Sequence, residues 1–270
     1  METPPPGNPP RDPVRLRAYF DDARSLPTSG AIESRLAGID PEVAPIKVLS
    51  VTGIEDGRWV EKWIEALTPF PVGNRFVVEP VNDLDNPSAA AAPGEFTGRI
   101  ALRICPSRAF GTGEHPTTRL CLEELESLDH AGRTVLDAGT GSGILAIAAR
   151  RLGASGAVAF DNDPEAIQVA RANARLNPEA SPILFLAGEP DSIPPGLFDI
   201  VVANLNGTIL ERVLGDLARR LGPRGHLILS GLLEEEAGSI DALAKGFGTR
   251  PVRVTTLDGW ACLHHEARRA

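Results

Sequence analysis

The chain has little cysteine: three residues in 270, Cys105, Cys121 and Cys262, widely spaced and without a C-x-x-C pair. An odd, scattered set supplies neither a disulfide framework nor a zinc site, and it suits a reducing compartment. Long apolar runs are missing too. Nothing approaches the ~20 residues that span a bilayer. The start, Met1-Glu-Thr-Pro-Pro-Pro-Gly-Asn-Pro-Pro10, has neither the basic residues nor the apolar stretch of a secretory signal. A soluble, cytoplasmic protein without membrane contact is expected. An excess of positive charge is absent as well: 36 acidic residues against 27 basic ones give a formal net charge of −9. That balance argues against a surface tracking nucleic-acid phosphates and leaves a cationic substrate acceptable. No internal repeat is visible. His130, His226 and the His264-His265 pair show no metal-ligand spacing and read as structural or exposed.

What is present is enough for one large domain and a small one, with 42% hydrophobic residues in 270. Residues 1–13, dominated by proline and polar residues, read as a disordered tail. Residues 14–55 read as a small α+β module: strands over Val14–Phe20 and Ile46–Thr52 flank a short helix over Ala31–Ala37. A connecting segment, 56–98, follows. Trp59, Trp63, Ile64 and Leu67 stand at helical spacing in Arg58–Leu67, where core tryptophans are a better reading than ligand-stacking ones. Asn82–Gly98 has the composition of an irregular loop.

From Arg99 to the C-terminus, apolar strand-like runs alternate with helical stretches. Strands are expected over 100–104, 134–137, 157–160, 183–186, 198–203, 226–230 and 252–257, and helices over 116–128, 143–152, 164–176, 207–221 and 234–246. Alternation of this kind implies crossover connections. The fold class is therefore α/β: a doubly wound, mostly parallel, Rossmann-like seven-stranded sheet beside the small N-terminal module. Trp260–His264 follows 252–257 so closely that the two should be antiparallel neighbours.

Within this domain, Asp137-Ala-Gly139-Thr-Gly141-Ser-Gly143 lies between the apolar run Thr134-Val-Leu136 and the helical start Ile144-Leu-Ala-Ile-Ala-Ala149. A strand turning on glycines into a helix leaves backbone N–H groups at the positive end of a helix dipole, open to an anionic or polar ligand. The spacing departs from the dinucleotide pattern G-x-G-x-x-G, because Ile144 fills the place of its last glycine. With an acid two residues ahead, at Asp137, the loop resembles the D/E-x-G-x-G-x-G turn of class I S-adenosylmethionine-dependent methyltransferases. In those enzymes the acid helps hold the methionine end of the cofactor. Taken alone, the loop is also compatible with a structural tight turn or another nucleotide site.

Other candidates sit at strand ends, where ligands of doubly wound sheets collect. Asp161 follows Ala157-Val-Ala-Phe160 about 20 residues beyond the loop, a place from which a carboxylate can accept two ribose hydroxyls. The competing role, a helix cap, is already supplied by Asp163-Pro164. Asn204 ends the 198–203 strand. It either terminates the strand in a turn or, as at the equivalent place in amino-methylating enzymes, holds an amine N–H with its carbonyl oxygen; the company of the glycine loop and Asp161 favours the second. Upstream, Gly111 and Gly113 permit a mobile loop before Pro116-Thr117-Thr118 opens a helix. There Thr117 and Thr118 are ligand contacts or local caps, and His115 bonds its own loop as readily as a substrate and is not taken as a base.

Together the segments Ala109–Thr118, Val135–Ala148, Phe160–Pro164, Val201–Leu205 and Leu229–Leu232 resemble the ribosomal protein L11 methyltransferase family, over roughly residue 55 to the C-terminus. The resemblance implies that Thr118, Gly139, Asp161 and Asn204 contact S-adenosylmethionine, with Asp137, Gly141 and Gly143 completing the loop and Asn204 near the acceptor amine. It also implies methyl transfer to lysine ε-amines, and an N-terminal α-amine, of protein L11 by a monomer that does not itself bind nucleic acid. Cys105 and Ser107 stand where the family typically has an acid and a glycine, and Asn206-Gly207 where bulkier or apolar residues are common. Gly207 would leave room for successive methyl groups. Only one strand–helix–strand unit precedes residue 55, one strand and one helix fewer than the family's N-terminal module. Two rival classes are a nicotinamide oxidoreductase, favoured by Asp161 but opposed by Ile144, and a non-catalytic S-adenosylmethionine-binding partner of the ribosome.

Overall fold

Alternate side chains of a strand point to opposite faces, so the apolar runs after residue 133 supply two cores at once. In the computed structural model, which describes residues 28–37, 68–81, 96–106 and 111–268, this is how the main sheet is built. Val135 and Val202 join one apolar cluster while their neighbours Leu136 and Val201 join the other. The chain divides into two units, Met1–Glu61 and Lys62–Ala270. Of the first, the described part is helix α1 (Ser29–Ala37), in agreement with the short helix read from the sequence. The tail over 1–13, the strands over 14–20 and 46–52, the helix over 58–67 and most of the loop over 82–98 lie outside the described residues.

The second unit opens with strands that the sequence pattern did not reveal. β1 (Phe70–Val72) and β2 (Phe76–Pro80) form an antiparallel hairpin, and β3 (Ile100–Ile104) pairs in parallel with β2, from Phe76↔Ile100 to Pro80↔Ile104. Ile100–Ile104 therefore belongs to a separate three-stranded sheet, not to the main one as expected. The hairpin closes through Gly73, at φ 53°, and the Glu126 carboxylate accepts from the Asn74 and Arg75 amides at its tip.

The main sheet has β4 (Thr134–Ala138), β5 (Gly156–Asp161), β6 (Ile183–Ala187), β7 (Phe198–Asn204), β8 (Leu221–Leu233), β9 (Thr249–Leu257) and β10 (Trp260–Ala267). Their spatial order is β6-β5-β4-β7-β8-β10-β9. The first five are parallel; β10 runs antiparallel between β8 and β9, the neighbour relation expected for 252–257 and 260–264. The helices are α2 (Pro116–Glu126), α3 (Ile144–Arg151), α4 (Pro164–Leu176), α5 (Gly207–Arg220) and α6 (Ala237–Gly246). Helices α2 to α4 bury Leu122, Ile147 and Ala170 against one face, and α5 and α6 bury Leu210, Leu214 and Ile240 against the other.

Local chemistry fixes the helix starts. Asp163 accepts from the Glu165 amide at 2.8 Å ahead of Pro164, the capping role that leaves Asp161 free for another. Asn206 accepts from the Ile209 amide at 2.9 Å and caps α5. Asn206 thus has a structural role at this helix start.

Candidate active site

Strand order reverses between β4 and β7, since β5 and β6 extend one way and β8 the other. Crevices for ligands open at such a switch point, beyond the carboxyl ends of the strands. Here the end of β4 carries the glycine loop and the end of β7 carries Asn204. The two touch: a Cβ on Gly139, whose φ is +68°, would lie 2.4 Å from Leu205 Cδ2. Leu205 in turn rests on β8, with its amide donating to Ser230 O at 2.9 Å and its carbonyl oxygen 2.4 Å from where a Gly231 Cβ would lie. At Gly231 the obstacle is backbone and glycine is required; at Gly139 it is the end of the Leu205 side chain, and the positive φ favours glycine.

Above the crevice is a cavity of about 530 Å³, within the usual range for small-molecule sites. Thr118, Gly139, Gly141, Asp161 and Asn204 all line it. Asp137 and Gly143 do not: they lie among the residues that support the loop. Gly143 caps α3 at φ 83°, and a Cβ there would lie 3.1 Å from that of Ala170 on α4.

Asp137 decides what the loop can bind. Fully buried, it accepts from Thr140 Oγ1 at 2.6 Å and from the Ala146 amide in the first turn of α3 at 3.1 Å, while its Oδ1 has no partner. The carboxylate thus meets the positive helix end that a phosphate-binding loop leaves open to its ligand. An anionic group is unwelcome beside it, and a cationic or zwitterionic ligand is suited. Burial pushes the Asp137 carboxyl up to about 6 against the two hydrogen bonds, with the Asp161 charge adding to the rise.

Asp161 closes the loop from the next strand, its Oδ2 accepting from the Gly141 amide at 3.0 Å and its Oδ1 from the Asp163 amide at 3.0 Å. Asp161 lines the cavity, and a carboxylate with lone pairs to spare can accept ribose hydroxyls. Asn204 donates through Nδ2 to Thr118 Oγ1 at 3.3 Å, and its Oδ1 is buried without a partner. An orphan acceptor at a cavity wall marks a place for a ligand donor. Thr118 sits in the first turn of α2, where His115 Nδ1 accepts from the Thr117 amide at 3.3 Å and meets Thr117 Oγ1 at 2.8 Å. Burial lowers the His115 imidazole, and its ring stands edge-on to Trp260 with centroids 4.8 Å apart.

Several lining residues were not found from the sequence. Glu189 and Pro190 follow β6, Arg212 comes from α5 and Trp260 opens β10; only tertiary structure gathers them. The charged lining, Asp161, Asp163 and Glu189 against Arg212, is net acidic and suits a cationic ligand. At Gly207 a Cβ would lie 2.6 Å from Glu236 Oε1, the end of a flexible side chain. Of the remaining histidines, His130, His264 and His265 are buried and His226 is half-buried, with His264 Nδ1 2.6 Å from Glu124 and His265 Nε2 3.2 Å from Asp241. No group of metal-ligating residues occurs among the described residues.

An acid under a three-glycine turn, a second acid one strand over and an asparagine across the switch point are the residues by which the sequence resembles class I S-adenosylmethionine-dependent methyltransferases, and the chain is an enzyme of that class. The parts fit the cofactor: two acids for a cationic, ribose-bearing molecule, and glycines that admit it to the backbone. More narrowly, the chain belongs to the ribosomal protein L11 methyltransferase family, whose sequence model matches residues 4–268. It is 41% identical over 256 residues to the ribosomal protein L11 methyltransferase of Geobacter sulfurreducens, covering 93% of this chain and 81% of that one. The counterpart from Bordetella parapertussis is 41% identical over 229 residues, 84% and 72% of the two chains. Among solved structures, a ribosomal protein L11 methylase from Lactobacillus delbrueckii subsp. bulgaricus superposes with a TM-score of 0.66 at 26% identity, over 76% of this chain and 99% of that one.

Proposed function

We propose that the protein transfers methyl groups from S-adenosylmethionine to amino groups of ribosomal protein L11, with lysine ε-amines and an N-terminal α-amine as acceptors. The observation that carries the amine reading is Asn204: its nitrogen is engaged by Thr118 and its oxygen is buried without a partner. Such an oxygen can accept an amine N–H and turn the nitrogen lone pair away from itself. The cofactor supplies a methyl already activated on a sulfonium, so the chain's task is to align and desolvate the acceptor. Positioning of this kind contributes up to ~7–11 kcal/mol in well-oriented systems.

Asp137, Asp161, Thr118, Gly139, Gly141 and Gly143 form the donor side of this reading. A lysine amine starts near ~10.4, and burial beside a positive charge favours its neutral, nucleophilic form. No dedicated base is needed, and His115, held by its own helix start, is not assigned as one. Recognition of L11 is assigned to residues 14–55, with residues 56–98 connecting them to the methyltransferase domain; a monomer acting in the cytoplasm without contacting nucleic acid suffices. The family names of its relatives support the substrate. The test is mass spectrometry of ribosomal proteins from cells with and without this gene: methylation of L11 disappears on deletion, and its persistence refutes the assignment.

A further inference from the structure

Helix α4 buries Asn173 on a face otherwise made of Ala166, Ile167, Ala170 and Leu176, and Asn177 caps its C-terminus; both asparagines are 0% exposed. An amide kept in an apolar face has all its hydrogen bonds to answer for. Those of Asn177 are architectural. It accepts from the Arg103 amide at 3.0 Å and donates to the carbonyls of Arg103 at 2.7 Å and Asn173 at 2.8 Å, fastening strand β3 to α4.

Those of Asn173 point elsewhere. Its Nδ2 donates to Ser142 O, in the glycine loop, at 2.8 Å; its Oδ1 accepts from the amide of Cys105, where the chain leaves β3, at 2.9 Å. Ser142 continues the connection, for its Oγ donates to Gly111 O at 2.5 Å. Gly111 and Gly113 pack closely against Ser142, Ile144 and Val78: a Cβ would lie 2.9 Å from Ser142 Oγ at Gly111 and 3.0 Å from Val78 Cγ2 at Gly113. Gly111 then leads within a few residues to His115, Thr117 and Thr118 on the cavity wall. One side chain therefore touches the glycine loop and Cys105, ahead of the segment that carries Thr118, and Ser142 ties the loop to that segment again at Gly111.

We propose that Asn173 is a positioning residue for methyl transfer: it sets the register of the segment from Gly111 to Thr118 against the glycine loop, and so the placement of the Thr118–Asn204 pair relative to the donor. The proposal rests on the methyl-transfer reading only for its kinetic test. Asn177, at the C-cap of the same helix and equally buried but joined to neither loop, is the structural control.

The experiment compares Asn173→Ala, Asn173→Asp and Asn177→Ala in the full chain. Asn173→Ala lowers kcat about ten-fold or more while the donor Kd, from calorimetry, changes less than about three-fold, because misalignment costs rate more than binding. Asn177→Ala, matched for loss of stability in urea, keeps kcat within about two-fold. Asn173→Asp keeps the acceptor for the Cys105 amide and loses the donor to Ser142, and its kcat falls between those of the parent and the alanine variant. Hydrogen exchange of the amides over 111–118 needs no turnover: it speeds up in Asn173→Ala and not in Asn177→Ala. Equal exchange in the two alanine variants, or an equal fall in kcat, overturns the proposal. Should the parent protein transfer no methyl group, the methyl-transfer reading fails, and the exchange comparison alone decides the role of Asn173.

Discussion

The side-chain nitrogen of Asn204, at the end of β7, donates to the hydroxyl of Thr118, in the first turn of α2, at 3.3 Å across 86 residues of sequence. The nitrogen end of the amide is engaged by this bond. Asn204 Oδ1 is left buried with no partner, and an acceptor in that condition costs free energy until a ligand donor reaches it. Thr118 is itself 1% exposed and cannot turn to another partner without disturbing α2.

Asn204→Ala should therefore lower kcat by about 10²-fold, the scale expected for loss of alignment, while the donor Kd rises less than about ten-fold. Thr118→Val, which removes the hydroxyl and keeps the shape, should show the same pattern in weaker form. Steady-state kinetics beside calorimetry separates the two effects.

Asp137 and Glu124 are buried carboxylates with opposite consequences for pH. Asp137 is pushed up to about 6 by burial, so its charge opposes folding: its contribution is fully present below the ordinary carboxylate pKa and lost as pH rises through 6. From pH 4 to 7.5 the loss is about 2–3 kcal/mol. The difference in urea stability between the parent and Asp137→Asn should shift against the parent over that range. At neutral pH the variant should be as stable as the parent or more so, yet bind the cationic donor more weakly.

Burial also works against the Glu124 carboxylate, but hydrogen bonds and charges from His264 and Arg253 outweigh it and hold the group below the usual carboxylate range. Its contribution is present at neutral pH and lost as pH falls through that lowered value. Glu124 is 3% exposed and His264 4%, whereas Arg253 is 47% exposed. Glu124→Ala should cost on the order of 3 kcal/mol, and Arg253→Ala about 1 kcal/mol or less. Urea denaturation at pH 7.5 checks both.

The two close-approach glycines should differ in a way that geometry decides. At Gly139 the obstacle to a Cβ is the end of the Leu205 side chain, at 2.4 Å; at Gly231 it is the Leu205 backbone, with its oxygen at 2.4 Å and its carbonyl carbon at 2.6 Å. A side chain can turn away and a backbone cannot. Gly231→Ala should destabilise by about 1–3 kcal/mol, the cost of overpacking plus a positive φ, and more than Gly139→Ala does. Gly139→Ala should act chiefly on donor affinity, which calorimetry reads directly.

Much of this site was legible in the sequence because its parts are local. Asp137 and Gly139 to Gly143 form one turn, and Asp161 and Asn204 close strands whose apolar runs are clear. The helix starts at Pro116, Pro164 and Gly207 carry their own caps. What escaped was set by pairing and packing. Strands β1 and β2 are short, and Pro71 and Pro80 disguise them, so Ile100–Ile104 was assigned to the main sheet when its partner is Phe76–Pro80. Asn173 falls within the helix expected over 164–176 and Asn177 just beyond it, and only the fold shows that both are fully buried. Glu189, Arg212 and Trp260 come from three separate elements, and no spacing could have joined them.

The central claim is that this cavity delivers a methyl group to an amine of L11. The most direct measurement incubates purified protein and unmethylated L11 with S-adenosylmethionine labelled in its methyl group and maps the label by mass spectrometry. The account predicts label on L11 amino groups, lysine ε-amines among them, falling by about two orders of magnitude with Asn204→Ala. Label on other proteins or small amines and none on L11, or undiminished transfer by the Asn204 variant, would contradict it.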